Sequence, residues 1–419
     1  MITRIEALGY RCLRYISQPL GPFHVLVGPN ASGKTTFLDV IAFLGRLISN
    51  GPDAAIEERT QNFYDLLWRG EGSQFELAIE ARIPDQLRER LLRQESEIIR
   101  YEVVVGLDVD SQDRGILAER VLLKQGSSTE QSWSRPSPAF AEVPGTLIEP
   151  LNASQTHTSL IKSAGGSGSF YTEAPVNGLN TWKSAANRTL RRSSFRSLDL
   201  DEDFFPATAW LRDLLSLGVQ QLVLNSLLIR RPSPPGQGPN FQPDGSNLPW
   251  AVADLHQRSP ERFRQWIAHL QTAFPDLQDI KTIERPEDRH RYLVLRYGEG
   301  LEVPSWMASD GTLRMLALTL PAYLEGFKGI YLIEEPENGI HPRAIETMTQ
   351  SLSSVYDAQV LLATHSPVVL STVEAEQILC FSKTPEGATD IIRGSEHPAL
   401  RSWKHETTLG TLFAAGVLG

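Results

Sequence analysis

The chain has 419 residues, of which 41% are hydrophobic and 21% charged, an ordinary globular composition with room for two or three domains. Its net charge of −10 argues against coating nucleic acid through bulk charge, although a local basic groove is compatible with it. No apolar run approaches the ~18 residues of a membrane span, and the opening MITRIEALGYRCL lacks the apolar centre of a secretory leader, so the expected compartment is the cytoplasm with no membrane partner.

In chain order, FHVLV (23–27) reads as a buried strand. It runs into GPNASGKT and then TFLDVIAFLGRLI, whose apolar spacing is helical. FELAIEARI (75–83), YEVVVGLDV (101–109) and LAERVLL (117–123) read as strands, with QLRERLLRQESEIIR as a charged amphipathic helix between the first two. From about 124 to 200 Ser, Thr, Gly, Pro and Asn dominate, and the reading is loops and an insertion. Within it NRTLRRSSFR carries Arg188, Arg191, Arg192 and Arg196, either a solvated loop or a phosphate-contacting patch. Helical patterning returns at ATAWLRDLLSLGVQQLVLN (207–225), and RRPSPPGQGPNFQPDG (230–245) is a long connection. SPERFRQWIAHLQTAFP (259–275) reads as an amphipathic helix with Ser259 as N-cap and Pro260 at its first position. YLVLRY (292–297), KGIYLI, AQVLLA and QILCF are strand-like, and RAIETMTQSLSSVY is the helix between the second and third. Cys12, in a segment read as strand, and Cys380 read as two buried reduced thiols; no Cys/His spacing suggests zinc.

GPNASGKT (28–35) fits G-x-x-x-x-G-K-[ST] in full, between a strand and a helix. Gly28 and Gly33 let the backbone turn its N–H groups toward phosphates, and the following helix adds its dipole. Lys34 reaches the β- and γ-phosphates and Thr35 offers a hydroxyl to Mg²⁺. Gly28, Asn30, Ser32, Gly33, Lys34, Thr35 and Thr36 are therefore the candidate nucleotide-binding residues, with ATP and Mg²⁺ as cofactors. EEPENGIHP (334–342) follows a buried strand. Alone, its paired carboxylates fit an exposed strand end or a helix opening toward the positive end of the dipole. Beside a complete phosphate loop they fit a second role: Glu334 holds the metal through a water and Glu335 polarises the attacking water.

The ordered set GPNASGKT, ASDGTLR (308–314), LIEEPENGIHP and ATHSP (363–367) resembles the ABC-type ATPase heads of the RecF, SMC and OLD-nuclease group, more narrowly the RecF-like bacterial ATPases associated with phage defence. The resemblance covers about 1–125 and 240–419. It implies an α/β fold: an ABC-type head with a mixed central sheet flanked by helices and an inserted helical and loop-rich lobe. The implied organisation is an N-terminal ATPase part over 1–125, the insertion over 126–290, and the remaining ATPase part over 291–419. By the same resemblance Glu335 is the catalytic glutamate and His365 the switch histidine. Ser309 and Gly311 belong to the signature loop that completes the site of a second copy. Glu334 stands where most relatives carry aspartate. Asp310 replaces the usual second-position glycine and is expected to face away, capping a helix that starts near Leu313. Asn338 to His341 fall where the D-loop runs, without its aspartate. Gln61 and Gln74 both remain open for the Q-loop, and Arg11 is either a nucleotide neighbour or structural.

The chain lacks the long heptad runs of SMC proteins. Only 54 residues follow His365, too few for the Toprim nuclease of OLD proteins, so any nuclease or toxin is expected on another chain. The resulting expectation is a homodimeric ATP-hydrolysing switch that gates a separately encoded effector or engages DNA in anti-phage defence. A RecF-like repair clamp on duplex DNA is the alternative, and a slowly hydrolysing nucleotide sensor a third reading.

Overall fold

The computed structural model describes residues 1–108, 111, 113–126, 143–150, 156–162, 168–175, 182–185, 193 and 202–398. The arginine-bearing stretch 188–196 and the apolar C-terminal TLGTLFAAGVLG lie outside the described residues, apart from Ser193. The chain divides into two compact units, one of Met1–Gly21, Gly28–Val219 and Phe381–Ile392, the other of Pro22–Val27, Gln220–Cys380 and Arg393–Gly419.

The first unit is built on an eight-stranded sheet of order β2-β1-β4-β5-β6-β7-β8-β9. Its strands are β1 (Ile2–Tyr10), β2 (Leu13–Pro19), β4 (Gln74–Arg82), β5 (Ser96–Leu107), β6 (Arg114–Gln125), β7 (Thr156–Lys162), β8 (Gly168–Tyr171) and β9 (Trp182–Ala185). Every neighbouring pair is antiparallel. Side chains alternate between faces along each strand. One face is apolar: Ile5 and Ala7, Phe75, Leu77 and Ile79, and Tyr101, Val103 and Val105 are all buried. The long helix α1 (Lys34–Asn50) buries Phe37, Leu38, Val40, Ile41, Phe43, Leu44 and Leu47. Tyr10, Phe43 and Phe75 join the two in an aromatic cluster with centroids 4.9–5.7 Å apart.

The opposite face is polar yet also buried. Arg100 lies 2.5 Å from Glu6, 2.7 Å from Glu102 and 3.4 Å from Glu80. Lys124 bridges Glu80 and Glu149 at 2.9 and 2.8 Å. A strap around residues 146–149 closes over them: the Leu147 and Glu149 amides donate to Glu76 and Glu102, and Arg100 and Arg120 donate to the carbonyls of Leu147 and Glu149. Burial pushes the Glu102 carboxyl up, whereas at Glu80 the cations Lys124, Arg100 and Arg4 outweigh burial and hold the carboxyl down.

The second unit contains β3 (Phe23–Val27), β14 (Ile330–Glu334) and β15 (Gln359–Ala363) of a six-stranded sheet of order β10-β14-β15-β3-β16-β17. The other strands are β10 (Val219–Leu222), β16 (Ile378–Lys383) and β17 (Thr389–Arg393). β14 with β15, β15 with β3 and β16 with β3 are parallel pairs. β3 and β15 are buried at every residue, as a strand covered on both faces must be. The three-stranded antiparallel sheet β11 (Leu277–Glu284), β12 (Arg291–Tyr297), β13 (Glu302–Pro304) completes the unit.

Several elements differ from their sequence reading. The charged helix over 86–100 shrinks to a single turn, Asp85–Arg88, because Ser96 onward is taken into β5 between β4 and β6. The helix over 207–225 ends at Ser216 and the chain continues as β10. The 124–200 stretch, read as loops, supplies β7, β8 and β9, which extend the first sheet. Ser259 precedes its helix, Pro260–Ala273, without a capping side-chain bond. Cys12 sits half-buried in the turn between β1 and β2, and both cysteines are free.

His24 on β3 is buried and its Nδ1 lies 3.1 Å from the carbonyl of Gln377. Burial holds its pKa down to about 4 from 6.5. Because the unfolded chain takes up this proton first, stability should fall as pH drops from about 6.5 toward 4, by up to roughly 3 kcal/mol. Urea unfolding of His24→Asn against wild type at pH 7 and pH 5 checks this: the variant should lose less stability between the two. Arg100→Ala should cost the first unit about 3–5 kcal/mol in the same measurement at neutral pH, since it removes the cation that Glu6, Glu80 and Glu102 share.

Candidate functional site

Two groups of candidate residues fall in the two units. In the first unit the loop from Gly28 to Gly33 leads into α1. Gly28 has φ +149°, and a Cβ there would lie 2.2 Å from the carbonyl oxygen of Phe381. Gly33 has φ +106°, and a Cβ would lie 2.1 Å from Thr389 Oγ1, the hydroxyl that donates to the Ser32 carbonyl. Both positions therefore require glycine on steric grounds. Lys34 is buried and its Nζ donates to the carbonyls of Gly28 and Pro29 at 2.8 and 3.0 Å, curling the loop around the ammonium. Asn30 and Thr35 are exposed, and Thr36 accepts from Cys12 Sγ at 3.4 Å.

This loop fits a polyphosphate. No side chain caps α1 at Gly33, and its first turn carries no acidic residue. A 17-residue helix thus presents its positive end, with a lysine behind it. The Ser32 hydroxyl is buried with no hydrogen-bond partner among the described residues. Arg11, in the turn after β1, has φ +51° and pairs with Asp39 of α1 at 3.5 Å; Asp39 also takes Arg59 at 2.5 Å and Tyr10 at 2.6 Å. Arg11 thus has a structural partner. Of the two Q-loop candidates, Gln61 is exposed in a turn and Gln74 opens β4.

In the second unit the carboxyl ends of three adjacent parallel strands lie level. Glu334 pairs in register with Ala363, and Ala363 with Leu26, two residues before Gly28 in the chain. Such strand ends are where open α/β sheets bind ligands. Beyond them the backbone continues as linked turns. The Glu335 amide donates to the Ala363 carbonyl at 2.8 Å, and the Thr364 amide to the Leu26 carbonyl at 3.1 Å. Glu335 is exposed at φ +46°, a region a non-glycine residue rarely adopts, and its carboxylate accepts from Asn338 Nδ2 at 2.6 Å. Glu334 and Glu335 supply the hard oxygen donors that Mg²⁺ prefers.

His365 is half-buried. Its amide donates to Glu337 Oε1 at 3.1 Å, and the Thr364 hydroxyl donates to the same oxygen at 2.5 Å. Glu337 was not singled out from sequence, although it is the third carboxylate of EEPEN. His341 caps the helix Pro342–Ser353, its Nδ1 accepting from the Arg343 amide at 3.2 Å.

The signature stretch departs from its reading in one respect. The helix begins at Asp310, not near Leu313, and Ser309 is its cap, with Oγ accepting from the Thr312 amide at 3.1 Å. Asp310 pairs instead with Arg230, which also donates to the Trp306 and Ala308 carbonyls and so ties the loop down. Nothing in the local sequence announced Arg230, 80 residues upstream. A Cβ on Gly311 would lie 2.5 Å from the Gly339 carbonyl oxygen, so glycine here lets the signature helix approach the EEPEN turn. Ser309 stays exposed beside exposed Trp306 and Met307.

Residues 23–371 match the family model described as "AAA domain, putative AbiEii toxin, Type IV TA system". Among individual proteins, the chain is 27% identical over 160 residues to the Retron Vc95 probable ATPase of Vibrio cholerae serotype O1 biovar El Tor, covering 32% of this chain and 31% of that protein. It is 49% identical over 41 residues to the OLD nuclease of Thermus scotoductus, covering 10% and 8% of the two chains. The chain thus spans less than a third of either relative's length. A solved SMC head, bound to the C-winged helix domain of ScpA, superposes with a TM-score of 0.54 at 13% identity over 93% of this chain and 97% of that one, a likeness of fold. The chain belongs to this AAA-domain, AbiEii-type family, and its α/β architecture is that of an ABC-type ATPase head of the RecF, SMC and OLD group.

Proposed function

We propose that this protein binds and hydrolyses ATP with Mg²⁺ as a dimeric switch, and that the switch gates a separately encoded effector in anti-phage defence. One observation carries the reading: Glu334, Ala363 and Leu26 are level across three parallel strands, and the phosphate loop begins two residues after Leu26. Both groups of residues are assigned to ATP on the resemblance of the ordered motifs GPNASGKT, EEPENGIHP and ATHSP. Lys34 and the amides of the loop hold the β- and γ-phosphates, with Gly28, Asn30, Ser32, Gly33 and Thr36 shaping their cradle. Thr35 and Glu334 hold Mg²⁺, which when bound neutralises charge developing on the phosphoryl oxygens. Glu335 orients and deprotonates the attacking water, and Asn338 fixes the carboxylate that does so. His365 contacts the γ-phosphate.

The exposure of Ser309 beside Trp306 and Met307 supports a face-to-face dimer in which Ser309 and Gly311 reach the nucleotide of the second copy. Closure on ATP and opening after hydrolysis would then be the output. The names of the two relatives, a retron ATPase and an OLD nuclease, support the defence setting and an effector partner.

Lys34→Ala should abolish tight ATP binding, read by calorimetry. Glu335→Gln should bind ATP but turn it over roughly 10²–10⁴-fold more slowly, and should accumulate dimer in ATP by light scattering. Wild-type turnover in Glu335→Gln would remove the proposed base. A shared site has its own signature. Lys34→Ala and Ser309→Arg should each be inactive alone, whereas an exchanged mixture should regain ATPase activity, because one of the two sites then holds an intact Lys34 and an intact Ser309. Recovery of up to about half the wild-type rate is expected for independent sites and less with coupling. A monomer hydrolysing at full rate on dilution would decide against the dimeric site.

A further inference from the structure

The turn EEPEN holds a third carboxylate, that of Glu337. Glu337 Oε1 receives two hydrogen bonds, from the Thr364 hydroxyl at 2.5 Å and from the His365 amide at 3.1 Å. The same Thr364 hydroxyl accepts from the Ser366 amide at 2.9 Å. Oε2 is buried with no hydrogen-bond partner among the described residues. All the hydrogen bonds that this side chain makes there thus go to the loop carrying His365. From the other direction, the Glu335 amide is bonded to the Ala363 carbonyl, one residue before that loop. Two crosslinks, one of backbone and one of side chain, join the turn that presents Glu335 to the turn that presents His365.

We infer that Glu337 is a positioning residue: its carboxylate sets the His365 loop against the Glu335 turn, so that the two groups keep a fixed spacing. The inference rests on the ATPase reading above. A loop backbone held by an acceptor at its histidine amide cannot swing freely, and a water attacking phosphorus needs its base and the γ-phosphate contact placed together. Among the described residues Glu337 is hydrogen-bonded to neither the phosphate loop nor the signature residues, so it should govern turnover and leave nucleotide affinity alone.

The experiment measures steady-state ATPase kinetics and thermal unfolding on full-length protein for wild type, Glu337→Ala, Glu337→Gln, Thr364→Val and the double variant Glu337→Ala/Thr364→Val. Lys34→Ala serves as the inactive reference. Glu337→Ala should lower kcat roughly 10- to 100-fold with KM for ATP held within about twofold. Glu337→Gln keeps an oxygen that can accept both bonds and should recover most of the lost kcat. The double variant should be little worse than Glu337→Ala, because that substitution already removes the bond from the Thr364 hydroxyl. Hydrogen exchange at the His365 amide should quicken in Glu337→Ala and stay slow in Glu337→Gln. Wild-type kcat in Glu337→Ala overturns the inference while leaving the ATPase reading intact. So does a Gln variant no better than Ala, or a loss in which KM and melting temperature move with kcat, which would mark a structural role. Wild type no faster than Lys34→Ala would overturn the ATPase reading, and this inference with it.

Discussion

The arrangement depends first on the parallel pairing of β15 with β3 and β14. Parallel strands in adjacent positions leave the sheet at the same edge, so their following turns emerge side by side. Here those turns, within the second unit, are Glu335 onward and Thr364 onward. The pairing is held by burial: β3 and β15 are apolar but for His24 and Gln359, and enclosed throughout. His24 is the exception that the sheet tolerates by keeping it neutral and bonded to a backbone carbonyl.

The turns beyond the strand ends are constrained more tightly than a loop needs to be. Glu335 takes a positive φ, and it can do so because its amide and carboxylate are both engaged, by Ala363 and Asn338. Gly311 allows the signature helix to approach Gly339 of the same turn. Arg230 pairs with Asp310 and so balances the carboxylate beside Ser309. The signature helix thus packs against the EEPEN turn, and that turn is hydrogen-bonded to the segment carrying His365.

The antiparallel sheet of the other unit solves a different problem. One of its faces packs α1 and so steadies the helix that opens with Lys34. The other is lined with Glu6, Glu80, Arg100, Glu102 and Lys124, charges that would be costly to bury singly. They are sustained as a network, closed by backbone groups of the 146–149 strap. Asp39, taking Tyr10 and Arg59, plays a similar part between α1 and its surroundings.

What could be read from sequence was whatever local chemistry dictates. GPNASGKT combines two glycines at positions no other residue can occupy with a lysine and a hydroxyl at fixed offsets, so its loop was legible from eight letters. The largely apolar runs FHVLV, IYLI and QVLLA announced the central strands for a similar reason: a strand covered on both faces is predominantly apolar. Elements whose state depends on a distant partner were not legible. QESEIIR has helical charge spacing, yet pairing with β4 and β6 draws it into a strand. The Ser- and Gly-rich stretch after residue 124 reads as loop, but the free edge of β6 recruits part of it as strands. Glu337 and Arg230 carry no signal of their own, because a hydrogen bond to a loop 28 residues away or an ion pair across 80 exists only once the chain is folded. Sequence alone determined which residues carry chemistry suited to a phosphate, a metal or a water; the tertiary structure decided which backbone and which counter-charge hold them, since those partners are set by packing between segments far apart in the chain.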